Sequence, residues 1–152
     1  MKKLNPTLFI ILLFCSCEKI FEPGSLELQV SYCYNAYQGY KPDIGAQAHL
    51  YKKSHTSGVF IDSISCIDAR VGYLIDNKGK IMDIDDDYEG EVGITGILTI
   101  DNIKPGDYLL ILASEGRWTF SHKYIEINPG ETLKLVKNFG YLHEFEDGGE
   151  YW

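Results

Sequence analysis

Five carboxylates crowd the run Asp83-Ile84-Asp85-Asp86-Asp87-Tyr88-Glu89. Hard divalent cations take clustered carboxylate oxygens, so Asp83, Asp85, Asp87 and Glu89 are weak candidate calcium ligands, with Glu91 able to complete an irregular set. The EF-hand pattern is not met. Tyr88 stands where the loop needs its sharp-turn glycine, and Ile94 where it needs a bidentate glutamate. A solvated acidic loop, with its repulsion relieved by water, is the plainer reading and the preferred one. His49, His55, His122 and His143 are scattered, with no HxH or HExxH spacing to converge on one metal. The chain has no Gly-x-Ser-x-Gly elbow, no phosphate-binding glycine loop and no Cys-x-x-Cys pair. On these grounds no catalytic residue, metal or cofactor is assigned. A pocket joining His49 or His122 to a carboxylate would reopen the question of an enzyme.

The elements that would hold such residues come from one domain, since 152 residues leave room for little more. Fourteen basic residues face 22 acidic ones, a net charge of −8. A nucleic-acid partner is therefore not expected, because phosphate binding needs a basic face. With 45% hydrophobic and 24% charged residues, the chain has the balance of a folded globule.

The N-terminus reads as an address. Lys2 and Lys3 precede eight apolar residues, Leu8 to Cys15. A spanning helix needs about 20, so this run is a signal-peptide core. Phe14-Cys15-Ser16-Cys17 follows, with a small residue just before Cys17, and then Glu18-Lys19. The arrangement resembles the lipobox of bacterial lipoproteins, of the kind found in Bacteroidetes-type Gram-negative cells. The resemblance implies cleavage before Cys17, a diacylglycerol on its sulfur and acylation of its new amine. Cys15 is the poorer candidate, because bulky Phe14 precedes it. Residues 1–16 would be lost and 17–24 would form a short lipidated tether ending in Pro-Gly-Ser. The mature chain would then carry 12 basic against 22 acidic residues, or −10. Such a surface is not drawn to anionic headgroups, so the acyl chains would do the holding, at about 0.8 kcal/mol per buried CH₂. The membrane, through this lipid, is thus an expected partner, and the expected location is the cell envelope at an outer membrane.

In an oxidising envelope Cys33 and Cys66 could pair, closing a loop worth about 3.8 kcal/mol on a chain-entropy account. Two separate thiols is the other reading, and spacing does not choose between them. Tyr37, Tyr40 and Trp118 are weak candidates for stacking on sugar rings. In the plainer reading Tyr32 and Tyr34 face the core while Tyr37 and Tyr40 close a turn.

From residue 25 onward the chain alternates and turns. Leu26, Leu28, Val30, Tyr32 and Tyr34 alternate with polar residues and Cys33, the period of a half-buried strand. Ala46, Ala48 and Leu50 repeat the pattern. Val71–Ile75 and Ile81–Ile84 flank Asp76-Asn77-Lys78-Gly79-Lys80, a hairpin signal. Further strands are expected over 94–100, 108–113, 124–127 and 132–136. Lys104-Pro105-Gly106-Asp107 and Asn128-Pro129-Gly130-Glu131 mark turns with proline preset at the second position and glycine at the third. Turns recur about every 8–12 residues with no helical period, which indicates an all-β sandwich.

Three stretches resemble carboxypeptidase-regulatory-like, or transthyretin-like, domains. These are Ile44-Gly45-Ala46-x-Ala48-x-Leu50-Tyr51, Gly96-x-Leu98-x-Ile100-x-Asn102-Ile103-x-Pro105-Gly106-x-Tyr108, and Ile125-x-Ile127-x-Pro129-Gly130-Glu131. The resemblance implies an Ig-like two-sheet domain over residues 25–138. About 45 residues separate Leu50 from Gly96, longer than the family pattern, which implies an inserted hairpin near 68–90. Related iron dioxygenases and hydroxyisourate hydrolases carry motifs absent here; this chain ends Gly148-Gly149-Glu150-Tyr151-Trp152. Residues 139–152 form an aromatic and acidic segment too apolar for full solvation, so partial docking is expected. The functional expectation is a lipid-anchored, non-catalytic accessory or interaction module, with an envelope protein or a glycan as partner. The alternatives are a surface glycan-binding lipoprotein and an enzyme with an unrecognised site.

Overall fold

The computed structural model describes residues 22–54, 74–75, 81–82, 86–117, 119–140 and 150–152. Among these every regular element is a strand: β1 Gly24–Asn35, β2 Gly39–Pro42, β3 Gln47–Lys52, β4 Leu74–Ile75, β5 Ile81–Met82, β6 Tyr88–Glu91, β7 Ile97–Ile103, β8 Gly106–Ala113, β9 Phe120–Ile127, β10 Thr132–Phe139 and β11 Glu150–Tyr151. One sheet is built on β1, which takes parallel β10 on one side and antiparallel β7 and β2 in succession along the other. The second runs β11-β9-β8-β3-β6. The fold is an all-β, Ig-like sandwich, as the alternation and turn spacing predict.

The core lies between the sheets. Leu26, Leu28 and Val30 of β1 and Leu98, Ile100 and Ile103 of β7 meet Ala48 and Leu50 of β3, Tyr108, Leu110 and Leu112 of β8, and Ile125 and Ile127 of β9. The inward series of β1 ends early: Tyr32 is only partly buried and Tyr34 is 49% exposed, because the strand outruns the core. Strand β8 (GDYLLILA) is buried on both faces from Tyr108 to Ala113, so its apolar run has no polar alternation to show.

The turn expectations can be compared directly. At Asn128–Glu131, Gly130 has φ +67° and the Glu131 amide donates to Asn128 O at 3.3 Å, a turn of the expected kind. At the β7–β8 corner Lys104 N donates to the Tyr88 hydroxyl at 3.0 Å, and the Tyr108 hydroxyl donates back to Lys104 O at 2.7 Å. A tyrosine that ties its own strand to the preceding turn is a known device of such sandwiches, and it gives the Pro-Gly-x-Tyr run a mechanical reason. Burial first, then the neighbouring Tyr88, hold the Tyr108 phenol well above the ordinary tyrosine range.

Three strands depart from the sequence expectation. Residues 39–42, read as a turn, form β2, whose register is set by Asn35: its side-chain oxygen accepts from the amides of Tyr37 at 2.9 Å and Gln38 at 2.8 Å. Residues 88–90 lie at the end of the stretch expected as an insertion, yet with Glu91 they form β6, the edge of the second sheet. Its Tyr-Glu-Gly-Glu sequence carries little strand propensity of its own, and β3 supplies the pairing. β11 adds the other edge. The hairpin signal at 71–84 is met by β4 and β5, with Leu74 opposite Met82 and Ile75 opposite Ile81.

Candidate functional site

Strand β3 turns Ala48 and Leu50 into the core, so the alternate residues Gln47 and His49 fall on the other face of the second sheet. The β3–β6 ladder sets His49 directly opposite Glu89 and Gln47 opposite Glu91. Such opposed residues stand with their Cβ atoms about 4.5–5.5 Å apart. Gly90, between the two glutamates, lies against the core. A Cβ there would come within 2.6 Å of Leu98 Cδ1, so glycine is what lets β6 approach β7 this closely. With Gly90 inward, Glu89 and Glu91 both face outward. Together Gln47, His49, Glu89, Gly90 and Glu91 line a pocket of about 330 Å³.

Asp86, just before β6, completes the group. Its Oδ2 lies 2.7 Å from His49 Nδ1, and the two side chains are 25% and 7% exposed. In the neutral ring Nδ1–H donates to that carboxylate, and the other nitrogen keeps a lone pair. Among the described residues, His49 Nε2 is buried with no hydrogen-bond partner, and so is Gln47 Oε1. A buried unsatisfied polar atom costs about 1–3 kcal/mol. A ring nitrogen of His49 and one carboxylate oxygen each from Asp86 and Glu89 lie within 4.8 Å of one another. Apart from the Gln47 amide and the His49 ring N–H, the side chains lining this pocket among the described residues offer acceptors, and no Lys or Arg is among them.

This arrangement joins His49 to a carboxylate, the condition that reopens the question of an enzyme. A histidine oriented by an aspartate is two-thirds of a nucleophilic relay. The remaining third is missing among the described residues, since no hydroxyl or thiol is bonded to Nε2. His122 does not join the site. It lies on β9 opposite Ile111 of β8, whose other neighbour in the ladder is His49, so β8 stands between the two histidines.

The other candidates fall as follows. Asp87, a weak calcium candidate, is turned to the β3 edge, where its Oδ2 accepts from the Lys52 amide at 2.7 Å, whereas Glu89 faces the pocket. Asp83, Asp85, Cys17, Cys66, Trp118, His55 and His143 lie outside the described residues. Cys33 carries a free thiol directed at Asn35 O, 3.7 Å away. Tyr37 is 100% exposed at the hairpin tip and Tyr40 60% exposed. Tyr40 pairs with Cys33 in the β1–β2 ladder, so it shares a face with Cys33, while Tyr34 falls on the opposite face under Lys41 at 3.9 Å. Tyr34 and Tyr40 therefore do not form one flat platform.

Sequence reasoning named His49 and Glu89 separately, the first for a pocket with a carboxylate and the second as a weak calcium candidate, but it did not join them and did not single out Asp86. The signal was present only as a histidine between the apolar Ala48 and Leu50, and as two glutamates flanking a glycine; the register that joins them is not local.

No protein-family model matches the chain, and no curated protein matches it. Among solved structures it is similar to a minor pilin of Streptococcus agalactiae, with 18% identity and a TM-score of 0.46 over 83% of this chain and 48% of that one. It is also similar to a proposed carbohydrate-binding protein of Pseudomonas aeruginosa, with 10% identity and a TM-score of 0.43 over 91% of this chain and 99% of that one. A third is the major pilin subunit of Bacillus cereus, with 18% identity and a TM-score of 0.40 over 80% of this chain and 31% of that one. The chain thus spans about half the length of the first pilin.

Proposed function

We propose that this chain is a lipid-anchored, non-catalytic interaction module of the cell envelope. The observation that carries the reading is the N-terminal layout: two lysines, eight apolar residues and Ser16-Cys17, followed by a short tether that ends where β1 begins at Gly24. A lipid on Cys17 would hold the sandwich close to the bilayer, and the net charge of −10 in the mature chain excludes an electrostatic anchor. Mass spectrometry of the mature protein from a Gram-negative host is expected to find an acylated Cys17 at the N-terminus. Cys17→Ser is expected to abolish acylation, and the unaltered protein is expected to resist extraction from membranes by high salt. A mature N-terminus free of acyl chains would end the proposal.

A second reading, glycan binding, is favoured by the exposure of Tyr37 and Tyr40 at the hairpin. It expects slower migration in polysaccharide-containing gels, relieved by Tyr37→Ala with Tyr40→Ala. Equal mobility with and without polysaccharide would remove it.

A further inference from the structure

We infer that His49, Asp86 and Glu89 form a site for one divalent transition-metal ion of the zinc class. The site is distinct from the calcium reading of the acidic run: it uses an imidazole and the β3–β6 ladder, and it leaves Asp87 bonded to the Lys52 amide. Three observations converge on it. One ring nitrogen and two carboxylate oxygens already lie within 4.8 Å of one another. Around a zinc ion with bonds near 2.0–2.2 Å, ligand atoms stand about 3.3 Å apart, so rotation of the exposed Glu89 side chain brings its carboxylate to an ion on His49, while Asp86 stays behind the ring as the group that orients it. The His49 side chain is only 7% exposed, lines the pocket, and has its Nε2 unpartnered. On the same wall Gln47 Oε1 is a second buried acceptor with no donor. Orphaned acceptors beside carboxylates call for a cation, and a nitrogen among the ligands selects zinc, nickel or copper over calcium and magnesium.

The contact between His49 Nδ1 and Asp86 supplies the second half of the design. A ligating histidine usually donates its other ring N–H to a carboxylate, which fixes the tautomer and raises the basicity of the ligating nitrogen. Asp86 Oδ2 stands in that position, leaving Nε2 as the ligand; Glu89, opposite in the ladder, supplies a carboxylate oxygen. Gln47 Oε1 and Glu91 are acceptors of the kind that a metal-bound water donates to.

The test uses the full chain in detergent, stripped with EDTA and titrated with zinc, cobalt and calcium chlorides. Elemental analysis is expected to find one zinc per chain. Cobalt is expected to give an absorption spectrum of low coordination number with mixed nitrogen and oxygen ligands. Glu89→Gln and Asp86→Asn are each expected to weaken zinc binding by about 10–100-fold. His49→Gln is expected to abolish the cobalt spectrum. Because His49 is buried and its variant can unfold, the imidazole nitrogen resonances of the unaltered protein serve as an independent readout; Nε2 is expected to shift on zinc binding. The inference is overturned if zinc does not bind, if binding survives Glu89→Gln and Asp86→Asn unchanged, if calcium competes on equal terms, or if the His49 resonances stay still.

Discussion

Asp43 is fully buried, and its carboxylate is bonded on both oxygens: Ser114 Oγ donates at 2.5 Å and the Gly116 amide at 2.8 Å. The Ser114 hydroxyl in turn accepts from the Arg117 amide at 3.0 Å. This network locks the β2–β3 turn to the β8–β9 loop. Burial raises the Asp43 carboxyl above the usual aspartate range, more than its hydrogen bonds lower it. Proton binding therefore favours the folded state. That contribution is complete below the ordinary carboxylate range and is lost as pH rises through the raised folded value. The Asp43→Asn substitution removes the titrating group. The stability of the unaltered protein relative to Asp43→Asn is thus expected to increase on acidification through that window; urea unfolding at stepped pH measures it, and a flat difference would refute it. Asp43→Ala leaves two buried donors without an acceptor and is expected to cost about 2–4 kcal/mol. Tyr108→Phe removes one bond from the β7–β8 corner and is expected to cost about 1 kcal/mol, read as a lower urea midpoint.

At the scale of the elements, β6 and β7 show how backbone detail positions side chains. Gly90 lets β6 lie against Leu98, and the same alternation aims Glu89 and Glu91 at the pocket. Gly90→Val is expected to destabilise the sandwich by about 1–3 kcal/mol through overpacking, a loss visible as an earlier thermal transition. In β7 the register against β1 shifts between Gly24 and Leu26, and Asn102 takes φ +59° there. Asparagine tolerates this left-handed geometry better than most residues, and the extra residue returns Ile103 to the core. Asn102→Gly is expected to be tolerated while Asn102→Val is not; comparable melting temperatures for the two would contradict that account. These strand boundaries were only partly readable. The long alternating strands announced themselves, whereas β2 and β6 hold their places through an Asn-capped turn and a neighbour's unsatisfied edge.

At the scale of the whole molecule, the C-terminus closes the sandwich. β11 adds an edge to β9 in parallel, with Glu150 opposite Ser121 and Tyr151 opposite His122. Trp152 then packs on the core with Lys123 Nζ of β9 at 5.5 Å and Lys137 Nζ of β10 at 5.9 Å from its ring. It thereby bridges strands from both sheets. Trp152→Ala is expected to cost about 2–3 kcal/mol, somewhat below a fully buried tryptophan, with cooperative unfolding retained. An unchanged urea midpoint would mean that the terminal residues merely rest on the surface.

Local physics made the sandwich legible before any coordinates. A period of two, proline and glycine at set turn positions, and a missing helical period are properties of neighbouring residues, and they survive into the fold because each strand buries one face. Of the aromatic C-terminal segment expected to dock, Phe139 is buried and Trp152 packs against the core, while Tyr141, Leu142 and Phe145 lie outside the described residues. The site was decided by tertiary structure. His49 and Asp86 are 37 residues apart in the chain, and no local rule links them. Only the β3–β6 register, admitted by a glycine small enough to pass Leu98, brings an imidazole and two carboxylates to one pocket.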